Sequence, residues 1–249
     1  MQEGIILAAG IGSRLNGLDK SALAKPLVSV NSFALLLRTI QSLELAGCTR
    51  VVIVLGYQAE SVEAFVLLNH SGSADIKFAL NNNYHLQNGI SVLCARPFIG
   101  KEYLLTMADH ILDDEIMHLV YNHKPPAGGA TLCVDYKLET IFDIDDATKV
   151  LAKDSFIKQI GKKLNKYNCI DTGVFIGTDG LMGAIDHVYK QKGDASLSEG
   201  VQFLADRGLM EILDIKDAFW QDVDNMDMLV HAEKLLREKS ESIHSYQTD

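Results

Sequence analysis

The chain has 249 residues, of which 47% are hydrophobic and only four are proline, so it has enough apolar sequence for a sizeable core and is not a disordered protein. It carries 33 acidic and 23 basic residues, a formal net charge of −10, and such a surface excludes DNA or RNA as a general partner. A small anion such as a nucleotide stays compatible with this charge when a local cationic pocket or a divalent metal offsets it.

The cysteines and the apolar runs indicate the cellular compartment. No two cysteines form a CxxC pair, so a structural zinc site is not expected, and we predict small core residues in a reducing environment. The N-terminus enters a strand pattern directly, without a secretion signal. No apolar run approaches the roughly 20 residues that cross a bilayer. We therefore expect a cytoplasmic protein without membrane insertion. The cysteines are Cys48, Cys94, Cys133 and Cys169.

The first half of the chain alternates between short apolar runs and segments with helical spacing. This order predicts a mainly parallel sheet with helices on both faces. The predicted strands are 5–9, 51–55, 76–80 and 103–107, and the predicted helices are 32–46, 59–68, 90–95 and 111–121.

The pattern changes after residue 125. Three short strands joined by polar turns predict a small antiparallel excursion laid over the first half, after which buried strand, helix and strand patterns return. Ser196 and Glu199 form a capping-box signature for a helix that ends near residue 205. With no repeat or linker, we predict one domain at 1–240 and a frayed polar tail at 241–249. The remaining predicted elements are strands 130–135, 148–151, 157–160, 170–176 and 209–215, and helix 225–239.

A glycine loop follows the first strand directly, in the segment Leu7-Ala8-Ala9-Gly10-Ile11-Gly12-Ser13-Arg14-Leu15. Gly10 and Gly12 allow a sharp turn and a close backbone approach, and N–H groups of such a loop hold phosphate oxygens. Arg14 adds a fixed cationic fork for phosphate. The loop lacks the GK[ST] of a P-loop and the third glycine of a dinucleotide fingerprint. Its alternative interpretation is a tight strand-to-helix turn with an exposed arginine.

Lys25 follows the loop and precedes Pro26. The proline biases Lys25 towards an extended backbone, from which its ammonium can reach a triphosphate. A Lys-Pro pair alone is usually only a loop, and it gains meaning here from the neighbouring glycines.

Two acidic residues suit a divalent metal. Asp109 follows an apolar strand, where α/β sheets place ligand groups, and Asp224 lies in a polar turn before the last helix. One carboxylate from each, with phosphate oxygens and water, suits the octahedral preference of Mg²⁺. The alternative for each is a helix N-cap. Asp222 competes with Asp224, and His110 is a metal neighbour or a structural side chain.

Several segments, in order along the chain, resemble a known family. Residues 7–27 resemble the LAAGxGxRL and KPL pattern of the nucleotidyltransferases that make activated sugars. Five later segments resemble the NGxSL, TMSDH, EATK, CVDTG and WMDVD stretches of inositol-phosphate cytidylyltransferases. They are residues 88–93, 106–110, 146–149, 169–173 and 220–224. Asn82-Asn83 stands where that family usually has Asn-Pro.

The resemblance implies a Rossmann-like, GT-A-like mixed sheet, with a nucleotide-binding half near 1–125 and an acceptor-binding half near 126–240. It favours Asp224 over Asp222 as the second metal ligand.

Asn88 and Ser91 are candidates for nucleotide contacts, with a helix cap as the open alternative. Lys149 would meet the acceptor phosphate, or be a solvated strand lysine. Asp171 and Thr172 would bind acceptor hydroxyls, although Thr172-Gly173 also suits a tight bend. The implied catalytic cations are Arg14, Lys25 and Lys149, and the implied nucleotide-binding loop residues are Leu7, Ala8, Ala9, Gly10 and Gly12.

The expected reaction is Mg²⁺-dependent transfer of a cytidylyl group from CTP to inositol 1-phosphate, giving CDP-inositol and pyrophosphate. The open alternatives are another acceptor (phosphocholine, a phosphonate or a sugar 1-phosphate) and a nucleotide-sensing module without catalysis. The sequence is compatible with a homodimer and does not determine the number of subunits.

Overall fold

The computed structural model describes residues 3–12 and 24–245, with side chains described up to residue 239. The strands are β1 (Glu3–Ala8), β2 (Ser29–Val30), β3 (Phe33–Ala34), β4 (Arg50–Leu55), β5 (Asp75–Leu80), β6 (Glu102–Met107), β7 (His110–Leu112), β8 (Ala130–Asp135), β9 (Lys149–Lys153), β10 (Phe156–Gly161), β11 (Cys169–Thr178), β12 (Met210–Asp214) and β13 (Trp220–Asp222). The helices are α1 (Leu35–Leu45), α2 (Ala59–Asn69), α3 (Gly89–Ala95), α4 (Asp114–Tyr121), α5 (Asp179–Lys192), α6 (Leu197–Ala205) and α7 (Met226–Ser245).

Nine of the described strands form one sheet in the order β5-β4-β1-β6-β11-β8-β12-β10-β9. The first four strands of this order run parallel to one another, as expected for strands joined by helical crossovers. Strand β11 runs antiparallel to both β6 and β8. The mixed α/β sheet predicted from the sequence is confirmed, with parallel pairing concentrated in the first half of the chain.

The predicted antiparallel excursion belongs to this main sheet. Strand β10 pairs with β9 and β12, and β9 pairs back onto β11. The last five strands of the order therefore close into a ring. The three strands predicted to lie over the first half, now β8, β9 and β10, extend the main sheet instead, so that prediction was wrong. The physical reason is burial, because Val150, Ile157 and Ile160 are apolar side chains of the main core and are at most 9% exposed.

The sheet separates two apolar layers. Ile5, Val52 and Leu105 point into a core completed by α3, α5 and α6. Their neighbours Ile6 and Ile53 point into a second core, completed by α1, α2 and α4. This alternation is the two-residue period of a strand buried on both faces. Each such fully buried side chain contributes about 1.5–3 kcal/mol to folding. Three of the cysteines are buried, as predicted for core residues, whereas Cys94 is only half-buried, and all four are free.

The helix predicted at 32–46 begins later, at Leu35. Asn31 and Ser32 have φ angles of 49° and 63° and form the turn of the short β2–β3 hairpin. Two consecutive left-handed residues are typical of such a turn and incompatible with a helix. Helical spacing of the apolar side chains therefore located α1 correctly but extended it too far towards the N-terminus.

The helix predicted at 111–121 is also divided. His110–Leu112 is strand β7, and the helix begins after Asp113, whose side chain accepts a hydrogen bond from Glu115 N–H at 3.1 Å. Asp113, rather than Asp109, is therefore the N-cap. This leaves Asp109 in the turn between β6 and β7.

The C-terminal helix extends beyond the predicted limit, since α7 continues to Ser245. The capping box of Ser196 and Glu199 is present at the start of α6, as predicted. Within the described ranges, no helix combines the length and the apolar character that crossing a membrane requires.

Candidate active site

The carboxyl ends of β1 and β6 determine where the glycine loop lies. These strands are parallel, with Leu7 opposite Met107, and Ala108 N–H donates to the Leu7 carbonyl at 3.1 Å. Gly10 and Asp109 follow these paired positions on their own strands, so they emerge at the same edge of the sheet. This edge is where ligands bind in open α/β sheets.

Pairing of two short strands brings a distant part of the chain to the same edge. Strand β13 runs antiparallel to β7, with Asp222 opposite His110. Val223 N–H donates to the Asp109 carbonyl at 2.9 Å. Asp224 therefore reaches Asp109 although the two residues are far apart in sequence.

The glycine loop packs against Lys25. Gly12 has a φ of +64°, and a Cβ added there would lie 2.5 Å from the Lys25 Cβ. Glycine is needed at this position both for the left-handed backbone and for the close approach. Among the described atoms, none lies within 4 Å of a Cβ added at Gly10. Arg14 lies outside the described residues, and its phosphate-binding role stays a prediction.

The Lys25 ammonium donates hydrogen bonds to both Asp109 and Asp224. Lys25 begins a 3-10 turn in which Pro26 occupies a first-turn position, where a missing N–H is tolerated. Burial disfavours its charge, but the two carboxylates outweigh that effect and raise the Lys25 pKa. Burial disfavours the Asp109 charge too, yet Lys25 and His110 bring the Asp109 pKa far below its ordinary value.

His110 orients Asp109. Its Nδ1 lies 2.7 Å from Asp109 Oδ1, and its ring stacks on Trp220 with centroids 5.8 Å apart. A Cβ at Gly173 would lie 2.7 Å from His110 Nε2, so the ring is held from a third side. Burial opposes the His110 charge, but the Asp109 carboxylate outweighs it and raises the His110 pKa. The structural interpretation of His110 fits this arrangement.

Asp222 takes a different position from Asp224. Its Oδ1 accepts a hydrogen bond from Gln221 Nε2 at 3.0 Å, and burial, followed by the nearby Asp224 and Asp109 charges, raises its pKa. Of the two acids, Asp224 is the one in contact with Lys25. The geometry thus agrees with the choice of Asp224, while its metal role stays a prediction.

Two adjoining cavities open at this edge. The larger, of about 600 Å³, extends from the glycine loop to the 143–148 loop, Lys162 and α7. The smaller, of about 210 Å³, lies between the glycine loop, Lys25 and the two aspartates. The predicted site residues in the larger one are Leu7, Ala9, Gly10, Asn88, Ser91, Asp109, Asp171 and Asp224. Those in the smaller one are Leu7, Ala8, Gly10, Gly12, Lys25, Asp109 and Asp224.

Asn88 and Ser91 line the larger cavity at the start of α3. Asn88 Oδ1 accepts from Leu197 N–H at 2.9 Å, so this side chain tethers α6 and does not cap its own helix. Ser91 Oγ accepts from Asn81 Nδ2 at 2.9 Å in a buried pair. Asn88 thus caps the first N–H of α6, in agreement with the helix-cap alternative, and contact with a nucleotide stays a prediction for both.

Lys149 and Thr172 do not appear among the described residues that line either cavity. The Lys149 ammonium is buried and donates to three backbone carbonyls. Thr172 is 0% exposed and its hydroxyl donates to the Cys133 carbonyl at 2.8 Å. This geometry contradicts direct acceptor contact by either side chain. The tight-bend alternative is met only in part, because Gly173 has a φ of +75° but lies inside β11, at a register irregularity of that strand.

Two cations of the larger cavity, Lys137 and Lys162, were not predicted from the sequence. Lys162 lies just after β10 and pairs with Asp146 at 2.9 Å. Lys137 pairs with Asp135 at 2.8 Å, and Asp135 also accepts from Trp220 Nε1 at 3.0 Å. The signal available for Lys162 was its place two residues after the end of a predicted strand, the same signal that identified Asp109.

Asp171 faces the larger cavity from an irregularity in β11. The pairing of β11 with β8 shifts register between Asp171 and Phe175, and a bulge of this kind redirects side chains. Asp171 Oδ1 accepts from Gly173 N–H at 2.8 Å. Burial raises the Asp171 pKa to about 6, against smaller opposing effects of that hydrogen bond and of His110.

We expect Asp171→Asn to change the pH dependence of stability. Between about pH 4 and pH 6 the unfolded chain ionises Asp171 while the folded chain keeps it protonated, so rising pH favours unfolding. The free energy of unfolding of the native protein should fall across this window relative to the variant, by at most about 3 kcal/mol before solvent screening of the half-buried group. Denaturant titrations of both proteins from pH 4 to about pH 7 measure the difference. If the free energy of unfolding of both proteins changed equally with pH, the result would contradict a raised Asp171 pKa.

The chain is similar to known proteins in sequence and in fold. The family model described as nucleotidyl transferase matches residues 3–239. The "Bifunctional IPC transferase and DIPP synthase" of Aquifex aeolicus is 30% identical, over 95% of this chain and 52% of its own length. The chain therefore spans about half of that relative.

Two further comparisons extend this finding. A 2-aminoethylphosphonate cytidylyltransferase of Lancefieldella rimae is 28% identical, over 78% of this chain and 75% of its own length. The solved inositol-1-phosphate CTP transferase of T. maritima superposes with a TM-score of 0.83 at 24% identity and covers 95% of both chains. The structural likeness shows a shared fold.

Proposed function

The chain belongs to the nucleotidyl transferase family, and we propose that it transfers the cytidylyl group of CTP to inositol 1-phosphate, releasing pyrophosphate. The observation that carries the proposal is the convergence of Lys25, Asp109 and Asp224 beside the glycine loop, where two cavities meet. The choice of CTP and of the acceptor is supported by the relatives that share this fold.

The chemical obstacle is that one anion must attack another. Two unit charges 4 Å apart repel by about 1 kcal/mol in water and about 4 kcal/mol near a protein surface. Lys25 supplies a positive charge beside the glycine loop, whose N–H groups would hold phosphate oxygens. Arg14 would add a second cation there. A phosphate nucleophile is already ionised near neutral pH, so the site needs no general base.

A divalent metal fits the two carboxylates. Asp109 and Asp224 both contact one cation, the Lys25 ammonium, so their oxygens already converge on a point that suits positive charge. Among the described residues, no group of three or more His, Cys, Asp or Glu side chains suits a metal ion. Asp109 and Asp224 would hold Mg²⁺ together with phosphate and water oxygens. When bound, the ion would neutralise charge on the reacting phosphates.

The acceptor would occupy the part of the larger cavity near β9, β10 and α7. Lys162 is more than half exposed there and would meet the acceptor phosphate, the role first expected of Lys149. Asp171 keeps one carboxylate oxygen for hydroxyl groups, because the other accepts from Gly173 N–H. Phe142 covers another side of this region and packs on His231, with ring centroids 4.6 Å apart.

Pyrophosphate release tests the proposal. The purified protein is mixed with Mg²⁺, each nucleoside triphosphate in turn, and inositol 1-phosphate, phosphocholine, 2-aminoethylphosphonate or glucose 1-phosphate. We expect release with CTP and inositol 1-phosphate. Release with another pair would replace the substrates and keep the reaction class. Nucleotide binding without release for any pair would favour the sensing module. A cytoplasmic location and a homodimer stay predictions.

A further inference from the structure

The Lys149 ammonium occupies a cage of backbone carbonyls. Its three donors match three acceptors, the carbonyls of Asp145 at 3.0 Å, Ala147 at 3.3 Å and Lys162 at 3.2 Å. An ammonium group has three N–H donors, so this arrangement satisfies all of them. Lys149 is 8% exposed, and desolvating a charge to this degree requires such compensation.

The cage joins two separate segments of the cavity wall. Asp145 and Ala147 belong to the loop at 143–148, and Lys162 follows the last residue of β10. The loop lines the larger cavity with four of its residues, and Lys162 lines it from the other segment. The Asp146–Lys162 ion pair links the same two segments through side chains. The four loop residues are Asp143, Asp146, Ala147 and Thr148.

The position of Lys149 in the sheet explains why it reaches both segments. It is the first residue of β9, opposite Gly161 of β10 and Ile170 of β11. These pairings close the ring of strands, so Lys149 lies at the junction of three chain segments. Asp171, the next residue after Ile170, faces the cavity. The ammonium thus joins the 143–148 loop to the residue that follows β10, beside the strand that carries Asp171.

We infer that Lys149 is a positioning residue, whose ammonium fixes the 143–148 loop to the end of β10 and so places Lys162 and Asp146 at the acceptor. The inference rests on the proposed function for its acceptor, but the carbonyl cage is independent of the substrate. It assigns Lys149 an indirect role in place of direct phosphate contact. Loss of its side chain should loosen the wall on the acceptor side while leaving the nucleotide side intact.

Lys149→Ala should show a selective kinetic defect. We expect KM for the acceptor phosphate to rise about tenfold and KM for CTP to change less than about twofold, since the glycine loop and α3 are untouched. The Lys162→Ala variant should also have a higher KM for the acceptor phosphate. Lys153→Ala, on the same strand with an exposed side chain, is the matched control and should leave both constants unchanged.

A second readout uses the empty cage. Lys149→Ala leaves three carbonyls without their donor, and a small cation with N–H groups can replace it. Ammonium chloride should therefore restore acceptor affinity, whereas tetramethylammonium chloride at equal ionic strength, which has no N–H donor, should not. The native protein should respond equally to both salts.

Hydrogen exchange measures the loop without any substrate. Amides of residues 143–148 should exchange about tenfold faster in Lys149→Ala than in the native chain, with the glycine loop unchanged. This result separates the inference from the proposed function, because it holds even if no acceptor is turned over. Lys149→Gln, which keeps two donors, gives the same measurement if the alanine variant fails to fold.

Three results with Lys149→Ala would overturn the inference. They are unchanged hydrogen exchange in the 143–148 loop, a fall in kcat with a normal KM for the acceptor, or equal effects of the two ammonium salts on the acceptor affinity of this variant. The second result would return Lys149 to a direct role in the reaction.

Discussion

Replacing Asp109 with asparagine should lower kcat/KM about a thousandfold, because the variant loses one of the two carboxylates that would hold the Mg²⁺ ion neutralising the phosphate charge. The chain should stay folded. Asparagine has nearly the same shape, and the backbone contact between the Asp109 carbonyl and Val223 N–H does not involve the side chain. Steady-state pyrophosphate release measures the loss, and circular dichroism checks the fold.

Asp114→Asn is the control for this experiment. Asp114 is an exposed acid in the first turn of α4, a few residues further along the chain, so the variant makes the same chemical change outside the cavity. It should retain nearly full activity. Activity of Asp109→Asn within tenfold of the native enzyme, roughly 1.4 kcal/mol, would show that this carboxylate does not serve the reaction.

The Lys25→Met substitution should raise the affinity for Mg²⁺ and lower kcat. The Lys25 ammonium now contacts both carboxylates proposed as metal ligands, so it competes with a metal ion for the same oxygens. Without that competitor, the variant should bind Mg²⁺ about tenfold more tightly while its kcat falls about a hundredfold. Calorimetric titration measures the affinity independently of activity.

The same variant should also depend on the metal for stability. Methionine leaves Asp109 and Asp224 close together without a cation, and like charges in a partly buried site repel. Its melting temperature should therefore fall in EDTA and recover with Mg²⁺ more than that of the native protein. Lys163→Met, which replaces an exposed lysine, controls for the general loss of charge. Equal magnesium affinity in all three proteins would place the metal elsewhere.

Residues that follow regular strands were predictable from the sequence. Gly10 and Asp109 each follow a buried apolar run, and parallel register alone places such positions at one edge. Asp224 was a candidate from its polar turn, but its choice over Asp222 depended on family resemblance, because the pairing that brings it there involves two strands of three residues each. Strands this short carry too little periodicity to be recognised in a single sequence.

The side of the larger cavity formed by the 143–148 loop and Lys162 was the least predictable part of the site. Lys149 and Lys162 are equally plausible solvated lysines in sequence, and their environments differ only after the ring of strands closes. The closure depends on pairing between β9 and β11, a contact across a loop and a hairpin. Thr172 was misjudged for a similar reason, since its acceptor is the carbonyl of Cys133 on the adjacent strand β8. The spacing of residues in the sequence does not reveal a hydrogen bond to a carbonyl on a neighbouring strand.

Closure of the ring has a consequence for self-assembly. In the nine-stranded sheet formed by the described strands, β5 is the one strand at an open edge, because β9 is paired on both sides. A sheet needs two open edges to grow into a fibre by repeated edge pairing. Two chains joined edge to edge through β5 would have none left. Association by this route therefore ends at a two-fold symmetric pair, and the exposed Asp75 and Lys77 on β5 place charge where that pairing would begin.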